Sequence, residues 1–427
     1  MSALALSAVC LSLFLPCATA ADTAGTNLTL QAALHYGEQN NPQLRAAFNY
    51  WKAAEQQIAV QKTLPDPTLS YGYYFESVET RVGPQEQSFG LMQRIPAFGK
   101  LSAMKAIAEE TAHAAEQRYN SRRLNLQQAV TRAYAELYYL HRNRAITEDR
   151  IQLVRDLEEV ARTRYKSGSP MAPIMQAQVE LGRLEDRLNS LQDMLQPAEA
   201  RLNALLNQPI DTPLSIDNTL PYQRVDLKAD TLSDRLTRTS PELMELEARI
   251  RQGESSVKLA QRNRLPDFML GVTYIDTDEA SMAVSDSGKD PVIGTIGITL
   301  PVWFGKNRAR IESAEHARIA AHLELENREQ TLDADIRQTL FKLRDADRKI
   351  SLYRDSLVPK ARQSLEVTRQ GYEAGNMEFI NLIDAERVLL EFELERERAL
   401  ADHLIARAEL SRLSGIDFLT GASDETN

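Results

Sequence analysis

The sequence contains one series of short motifs twice, in the same order and at a spacing of about 200 residues. The recurring pairs are Asn41-Pro42-Gln43-Leu44 with Ser240-Pro241-Glu242-Leu243, Leu64-Pro65-Asp66 with Leu265-Pro266-Asp267, Ile95-Pro96-Ala97-Phe98-Gly99-Lys100 with Leu300-Pro301-Val302-Trp303-Phe304-Gly305-Lys306, and Tyr165-Lys166-Ser167-Gly168 with Tyr372-Glu373-Ala374-Gly375. Chance matches would not keep one order over half of a chain. The sequence therefore predicts a tandem duplication, with repeats over about residues 28–208 and 227–415.

Each repeat is predicted to contain a helix followed by two strands, with the helices at about residues 42–63 and 241–264. After each helix, apolar side chains alternate with small or polar ones, as in strands that have one apolar face. The apolar members are Leu69, Tyr71, Tyr73, Phe75, Phe89, Leu91 and Ile95, then Phe268, Leu270, Val272, Tyr274, Val292, Ile296, Ile298 and Leu300. Strands of about ten residues can cross a bilayer. The alternative is a pair of hairpins packed on a soluble core.

A very long helical segment follows the strands in each repeat. Residues 99–165 contain no proline, and their apolar residues alternate steps of four and three, which is typical of coiled-coil packing. The first stripe is Leu126, Val130, Ala133, Leu137 and Leu140, and the second is Leu332, Ile336, Thr339, Leu343, Ala346, Ile350, Tyr353 and Leu357. Pro359 is expected to kink or restart the second helix. Each segment ends at a Tyr-x-x-Gly turn, from which a second helix returns.

Four strands are too few for a closed membrane sheet, because the smallest known kind needs about eight. An open sheet would leave unpaired backbone groups in lipid, where no water can satisfy them. If these strands cross a membrane, the chain must therefore associate with copies of itself.

The first twenty residues differ from the rest of the chain. The run from Ala3 to Ala21 is uncharged and rich in leucine, and it ends on Ala18-Thr19-Ala20, a pattern that signal peptidases recognise. We therefore predict a signal peptide over residues 1–20 and a mature protomer over 21–427; the alternative is an N-terminal membrane anchor. Both cysteines, Cys10 and Cys17, lie in this leader, so the mature chain is predicted to contain no thiol.

Composition and motifs argue against several functions. A net charge of −10 does not suit nucleic-acid binding, which needs a basic surface. The sequence has no phosphate-binding loop, no nucleophile elbow and no pair of histidines at metal-binding spacing. We therefore expect no catalytic residue, no cofactor and no resident metal site.

With these features the chain resembles the TolC family of outer-membrane efflux proteins. The likeness extends over the mature chain, and its most family-like part is Gly371-Tyr372-Glu373-Ala374-Gly375, followed by Leu382-Ile383-Asp384-Ala385-Glu386. It implies a mainly helical fold with a small β part: long antiparallel helical hairpins form an α-barrel in the periplasm, and four strands per protomer contribute to a twelve-strand trimeric β-barrel in the outer membrane. It also implies a passive duct that works with a periplasmic adaptor and an inner-membrane pump of the RND type.

The resemblance assigns roles to residues near the helical turns. Asn381 and Asp384 fall where the family places polar or acidic residues at a pore constriction, and Gln176 is roughly equivalent in the first repeat. Asn381 departs from the prototype, which is acidic there. Three Asp384 carboxylates on one axis would repel one another and bind cations; alternatively, Asp384 pairs with Arg387 or caps a helix. We expect the adaptor to dock at the hairpin ends, although ordinary turn chemistry also explains these residues: Arg164, Tyr165, Gly168, Ser169, Tyr372, Gly375 and Asn376.

The substrate is less constrained by the sequence. Residues 71–85 resemble members associated with heavy-metal efflux pumps, so we expect heavy-metal cations or small toxic compounds to be exported. Met171 and Met175 lie one helical turn apart near a predicted turn, where packing is a commoner role than metal ligation. A type I protein-secretion duct and a structural coiled-coil protein of the envelope are the alternatives.

Overall fold

The structure is a computed structural model that describes residues 27–224 and 229–419. The predicted signal peptide, with both cysteines, lies outside the described residues. Within the described ranges, no helix combines the length and the apolar character that crossing a membrane requires.

The two halves of the chain have the same order of elements: two helices, two strands, one long helical segment and one returning helix. In the first half these are α1 (Leu30–Asn40), α2 (Pro42–Lys62), β1 (Thr68–Thr80), β2 (Gly83–Ile95), α3 (Lys100–Lys166) and α4 (Ala172–Leu206). In the second half they are α5 (Ala229–Thr239), α6 (Pro241–Arg262), β3 (Asp267–Thr277), β4 (Val292–Thr299), α7 (Phe304–Leu352), a π-helical turn (Tyr353–Leu357), α8 (Val358–Glu373) and α9 (Phe379–Ser414).

The helices α2 and α6 lie where the sequence predicts them, within two residues. The start of α2 is fixed locally, because the Asn41 side chain accepts hydrogen bonds from the backbone N–H groups of Gln43 and Leu44 at 3.0 and 3.1 Å. Pro42 occupies the first turn, where its missing N–H costs nothing. The same Asn-Pro pair ends α1, so the helical stretch before the strands is two helices rather than one.

The helix α3 contains 67 residues and is therefore about 100 Å long. All five residues of its predicted stripe, from Leu126 to Leu140, are buried. They pack with α4, α9 and α1 in one apolar cluster that includes Leu34, Leu202 and Leu404. The coiled-coil interpretation of α3 is therefore confirmed.

The stripe on α7 is confirmed as far as Ile350 and is wrong for its last two members, Tyr353 and Leu357, which are only half-buried. Both residues lie in the π-helical turn, whose wider hydrogen-bonding pattern inserts one residue into the helix. The inserted residue moves the buried face from Leu357 to Val358. Pro359 lies in the first turn of the helix that restarts there, as the sequence predicts.

All four strands form one antiparallel sheet in the order β1-β2-β3-β4, so β1 and β4 are its edges. The predicted apolar residues lie in rows across the sheet: Tyr71 is opposite Phe89, which is opposite Tyr274 on the next strand. These side chains are exposed in a single copy, Leu69 by 77% and Phe75 by 95%. The alternative of hairpins packed on a soluble core is therefore wrong, because nothing within the described chain covers this apolar face.

Candidate functional site

The two Tyr-x-x-Gly turns lie side by side at one end of the helical part. Arg164, at the end of α3, donates a hydrogen bond to the backbone carbonyl of Glu373, at the end of α8, over 3.0 Å. Its guanidinium also lies 4.7 Å from the ring centre of Tyr372. The Tyr372 ring in turn packs edge-on against Phe379. The structure thus brings the ends of both helical hairpins into direct contact; we call this region the tip (residues 164–171 and 372–379).

Both turns use the same backbone geometry. The N–H groups of Gly168 and Ser169 bond to carbonyls three and five residues back, and those of Gly375 and Asn376 do the same. Gly168 and Gly375 have φ angles of 96° and 80°, which glycine adopts without steric cost. Both glycines therefore act as turn residues. Tyr165 and Asn376 remain exposed, whereas Tyr372 is buried, so only part of the predicted docking set is available to a partner.

The predicted constriction residues lie one to two helical turns from the tip. Asn381 and Asp384 are exposed on α9, and Gln176 is half-buried on α4. The Asp384 carboxylate makes a single contact of 3.4 Å with Arg387, and its side chain remains 60% exposed. Arg387 is held mainly by Glu180, through bonds of 2.5 and 3.0 Å. The Asp384–Arg387 pair exists but is weak, so the Asp384 carboxylate stays accessible on the surface of the chain.

A row of buried glutamates on α9 was not predicted from the sequence. Glu393 accepts hydrogen bonds from Arg150 at 2.5 Å and from Arg362 at 2.7 Å. Glu397 accepts one from the hydroxyl of Tyr138 at 2.6 Å. Glu386 has 0% exposure, and neither carboxyl oxygen has a hydrogen-bond partner among the described residues. The missed signal was the spacing, because Glu386 and Glu393 continue the three-four stripe that Leu382 and Leu389 define.

Burial of the Glu386 carboxyl raises its pKa to about 7, and the nearby charge of Glu180 acts in the same direction. The charges of Arg150 and Arg387 oppose this shift, while that of Glu393 adds to it. Because the folded chain holds this proton more tightly than the unfolded chain, stability is predicted to fall as the pH rises from about 4.5 to about 7.

We expect Glu386→Gln to abolish this pH dependence. The variant cannot ionise at this position, so it should be more stable than the wild type by about 3 kcal/mol at pH 8, with the difference vanishing near pH 4.5. Thermal unfolding followed by circular dichroism between pH 4.5 and 8.5 measures the effect. Asp384→Asn, at an exposed carboxylate on the same helix, is the control and should change little. A constant difference between Glu386→Gln and the wild type at every pH would contradict the prediction.

No group of three or more histidine, cysteine or acidic side chains suited to a metal ion occurs in the described parts of the chain. Met171 and Met175 are exposed at the tip. The tip provides exposed side chains for contact, and Asp384, further along α9, provides an exposed carboxylate.

The chain is similar in sequence to a family of known proteins. A sequence model of the family described as outer membrane efflux protein matches residues 34–208 and 232–416. The chain is 23% identical over 395 residues to the outer membrane protein TolC of Vibrio cholerae, with 88% of both proteins covered. It is 22% identical over 400 residues to the cobalt-zinc-cadmium resistance protein CzcC of Cupriavidus metallidurans, covering 91% of this chain and 90% of that protein.

The fold has a close counterpart among solved structures. The crystal structure of the outer membrane protein VceC from Vibrio cholerae matches with a TM-score of 0.75 and 20% sequence identity, covering 90% of this chain and 96% of VceC. The predicted fold class, long helical hairpins with four strands, is confirmed.

Proposed function

Because the chain belongs to the outer membrane efflux protein family, as its sequence predicts, we propose that three copies of it form the exit duct of a tripartite efflux system. Membership places the chain among the efflux channels of the outer membrane. The duct is passive, and a pump in the inner membrane supplies the energy through a periplasmic adaptor.

The observation that carries this proposal is the pair of unpartnered surfaces on one copy. Among the described residues, no strand pairs with the outer edges of β1 and β4, and nothing covers the apolar face of the sheet. A large exposed apolar surface on a protein marks a lipid or protein contact. If three copies lie edge to edge, the backbone groups of β4 in one copy can pair with those of β1 in the next, and the apolar side chains can face lipid. Exposed aromatic residues at the helix-facing end of the sheet suit the boundary between lipid and water: Phe98, Trp303 and Phe304.

The tip is proposed to lie in the periplasm, where it meets the adaptor. Support comes from the exposure of Tyr165 and Asn376 beside the two glycine turns. Among the described residues, no heavy atom other than those of Gly168 and its two chain neighbours lies within 4 Å of a Cβ added at Gly168, so a larger residue there projects into open space. We expect Gly168→Asn, which tolerates the positive φ, to reduce adaptor crosslinking while leaving the trimer intact. Gly182→Asn, also in open space but on α4, is the matched control. Unchanged crosslinking in Gly168→Asn would contradict this docking site.

Asp384 is proposed to line the constriction, with Asn381 and Gln176 as uncharged neighbours. The exposed carboxylate and the commitment of Arg387 to Glu180 support this role. Three such carboxylates around an axis would favour cations over anions.

The exported species is proposed to be heavy-metal cations or small toxic compounds. The similarity to a cobalt-zinc-cadmium resistance protein over most of the chain supports the metal class, as does the Asp384 carboxylate. Growth of the source strain with and without this gene, across copper, silver, zinc, cobalt, cadmium, dyes and detergents, tests the proposal. Selective sensitivity of the deletion strain to metals would support a metal duct. Sensitivity to dyes and detergents alone would indicate a duct for small toxic compounds and overturn the metal class. A defect confined to secreted polypeptides would overturn both classes and favour a type I secretion duct.

A further inference from the structure

A buried ion pair joins the two halves of the chain where the sheet meets the helices. The Lys100 ammonium lies 2.6 Å from the Asp267 carboxylate and also donates to the carbonyl of Leu265 at 3.1 Å. The same carboxylate accepts the backbone N–H of Ala97 at 2.9 Å. Because Lys100 begins α3 and Asp267 begins β3, this contact fixes a helix of the first half against a strand of the second.

The duplicated motifs place a second lysine and a second aspartate in the corresponding positions. Asp66 ends the first Leu-Pro-Asp motif as Asp267 ends the second, and Lys306 follows the second Phe-Gly as Lys100 follows the first. In one copy both Asp66 and Lys306 are exposed, and neither side chain has a hydrogen bond or ion pair within the described residues. Asp66 precedes the edge strand β1 and Lys306 follows the edge strand β4, so the two lie at opposite edges of the sheet.

The correspondence holds for strand register as well as for sequence. Aligning the two Leu-Pro-Asp motifs makes Leu69 correspond to Leu270. Aligning Ile95 with Leu300 makes Leu91 correspond to Ile296, so the cross-strand pair Leu69–Leu91 corresponds to Leu270–Ile296. Both pairs occur in the structure. The hairpins β1–β2 and β3–β4 therefore have the same register in the part next to the helices, from Thr68 to Tyr73 and from Met269 to Tyr274. The contact between β2 and β3 then has a counterpart only if β4 meets the β1 of another copy.

We propose that Lys306 of one copy forms an ion pair with Asp66 of the next copy. This ion pair, which we call the joint between copies, repeats at each boundary the Lys100–Asp267 ion pair within the chain. This inference rests on the proposed trimer. Transferring the observed β2–β3 register puts Ile298 opposite Leu69 of the neighbouring copy and Ile296 opposite its Tyr71. These four side chains belong to the exposed apolar face, so the apolar surface continues across the boundary without a break.

The joint between copies differs in one respect from the Lys100–Asp267 ion pair within the chain. Arg94 adds a second ion pair to Asp267 at 2.7 Å, and its counterpart in the second repeat is the uncharged Thr299. The joint between copies then contains one ion pair, whereas Asp267 has two. Loss of one charged partner therefore affects the joint between copies more than the contact within the chain.

Cysteine crosslinking tests the proposal. We expect the double variant Asp66→Cys/Lys306→Cys, treated with a short bis-maleimide, to give dimers and trimers on a denaturing gel, with neither single variant doing so. A bis-maleimide is used because the long lysine side chain lets the two Cα atoms of a lysine–aspartate pair lie further apart than a direct disulfide allows. The matched control, Lys100→Cys/Asp267→Cys, should lose its free thiols with the same reagent and yet migrate as a monomer, because its pair lies within one chain.

The outcomes separate this inference from the trimer on which it rests. If the untreated double variant is trimeric in native mass spectrometry but gives no ladder, while the control reacts, the Lys306–Asp66 joint is wrong and the trimer stands. If the wild type is monomeric in detergent and in lipid, the proposed trimer fails as well. A charge exchange gives a second test: Lys306→Asp should lower the fraction of trimers that survive heating several-fold, and adding Asp66→Lys should restore it. Failure of the exchange to restore heat resistance would count against the joint.

Discussion

Val272→Arg is expected to reduce the amount of folded protein in the outer membrane by at least tenfold. Val272 lies in the middle of the central strand β3 and is opposite Leu91, on the exposed apolar face of the sheet. An arginine facing lipid near the middle of a bilayer costs about 2–4 kcal/mol per chain, and each assembly would contain the change in every copy. Immunoblotting of outer-membrane fractions measures the amount.

The control for this prediction is Thr273→Arg, which changes the next residue and therefore projects from the opposite face of the same strand. This variant should reach the outer membrane at close to the wild-type amount, since the opposite face is the one turned away from lipid in the proposed assembly. If both arginines reduced the amount equally, the assignment of the apolar face to lipid would be wrong.

Asp267→Leu is expected to destabilise the folded chain by about 3–5 kcal/mol, because it leaves the buried Lys100 ammonium without its counter-ion. The hydrogen bond to the Leu265 carbonyl remains but does not neutralise the charge. Thermal unfolding of the purified protein, together with the rate of cleavage by trypsin near residue 100, measures the loss.

The double variant Lys100→Met/Asp267→Leu is the control for this prediction. It removes both charges and keeps the site filled, so most of the lost stability should return. A double variant as unstable as Asp267→Leu would mean that the site requires the carboxylate for its backbone contact with Ala97 rather than for the ion pair.

Much of the fold follows from patterns with a local physical cause. The start of α2 could be predicted because Asn41 and Pro42 form a helix cap by themselves. The strands could be predicted because period-two alternation has a single structural meaning. The stripe of α7 was correct until the π-helical turn, where an inserted residue changes which side chains face inward.

The candidate site was less accessible to prediction. That Arg164 contacts Tyr372 depends on two turns separated by about half of the chain, and no local pattern determines such a contact. Glu386 was missed because a glutamate on a helix is ordinarily solvated, whereas here its neighbours along α9, Leu382 and Leu389, place it in the core. Its heptad position could have indicated burial. Only the three-dimensional structure shows that its carboxyl oxygens have no hydrogen-bond partner in the described part of the chain.

The most direct test of a passive outer-membrane duct is the single-channel current of the purified protein in planar lipid bilayers. We expect discrete, long-lived current steps that are larger in Arg164→Ala, because this change removes the contact that joins the two hairpin ends at the tip. We also expect the preference for cations to fall in Asp384→Asn. A trimer that inserts into the bilayer but carries no current, in the wild type and in Arg164→Ala alike, would contradict a passive duct.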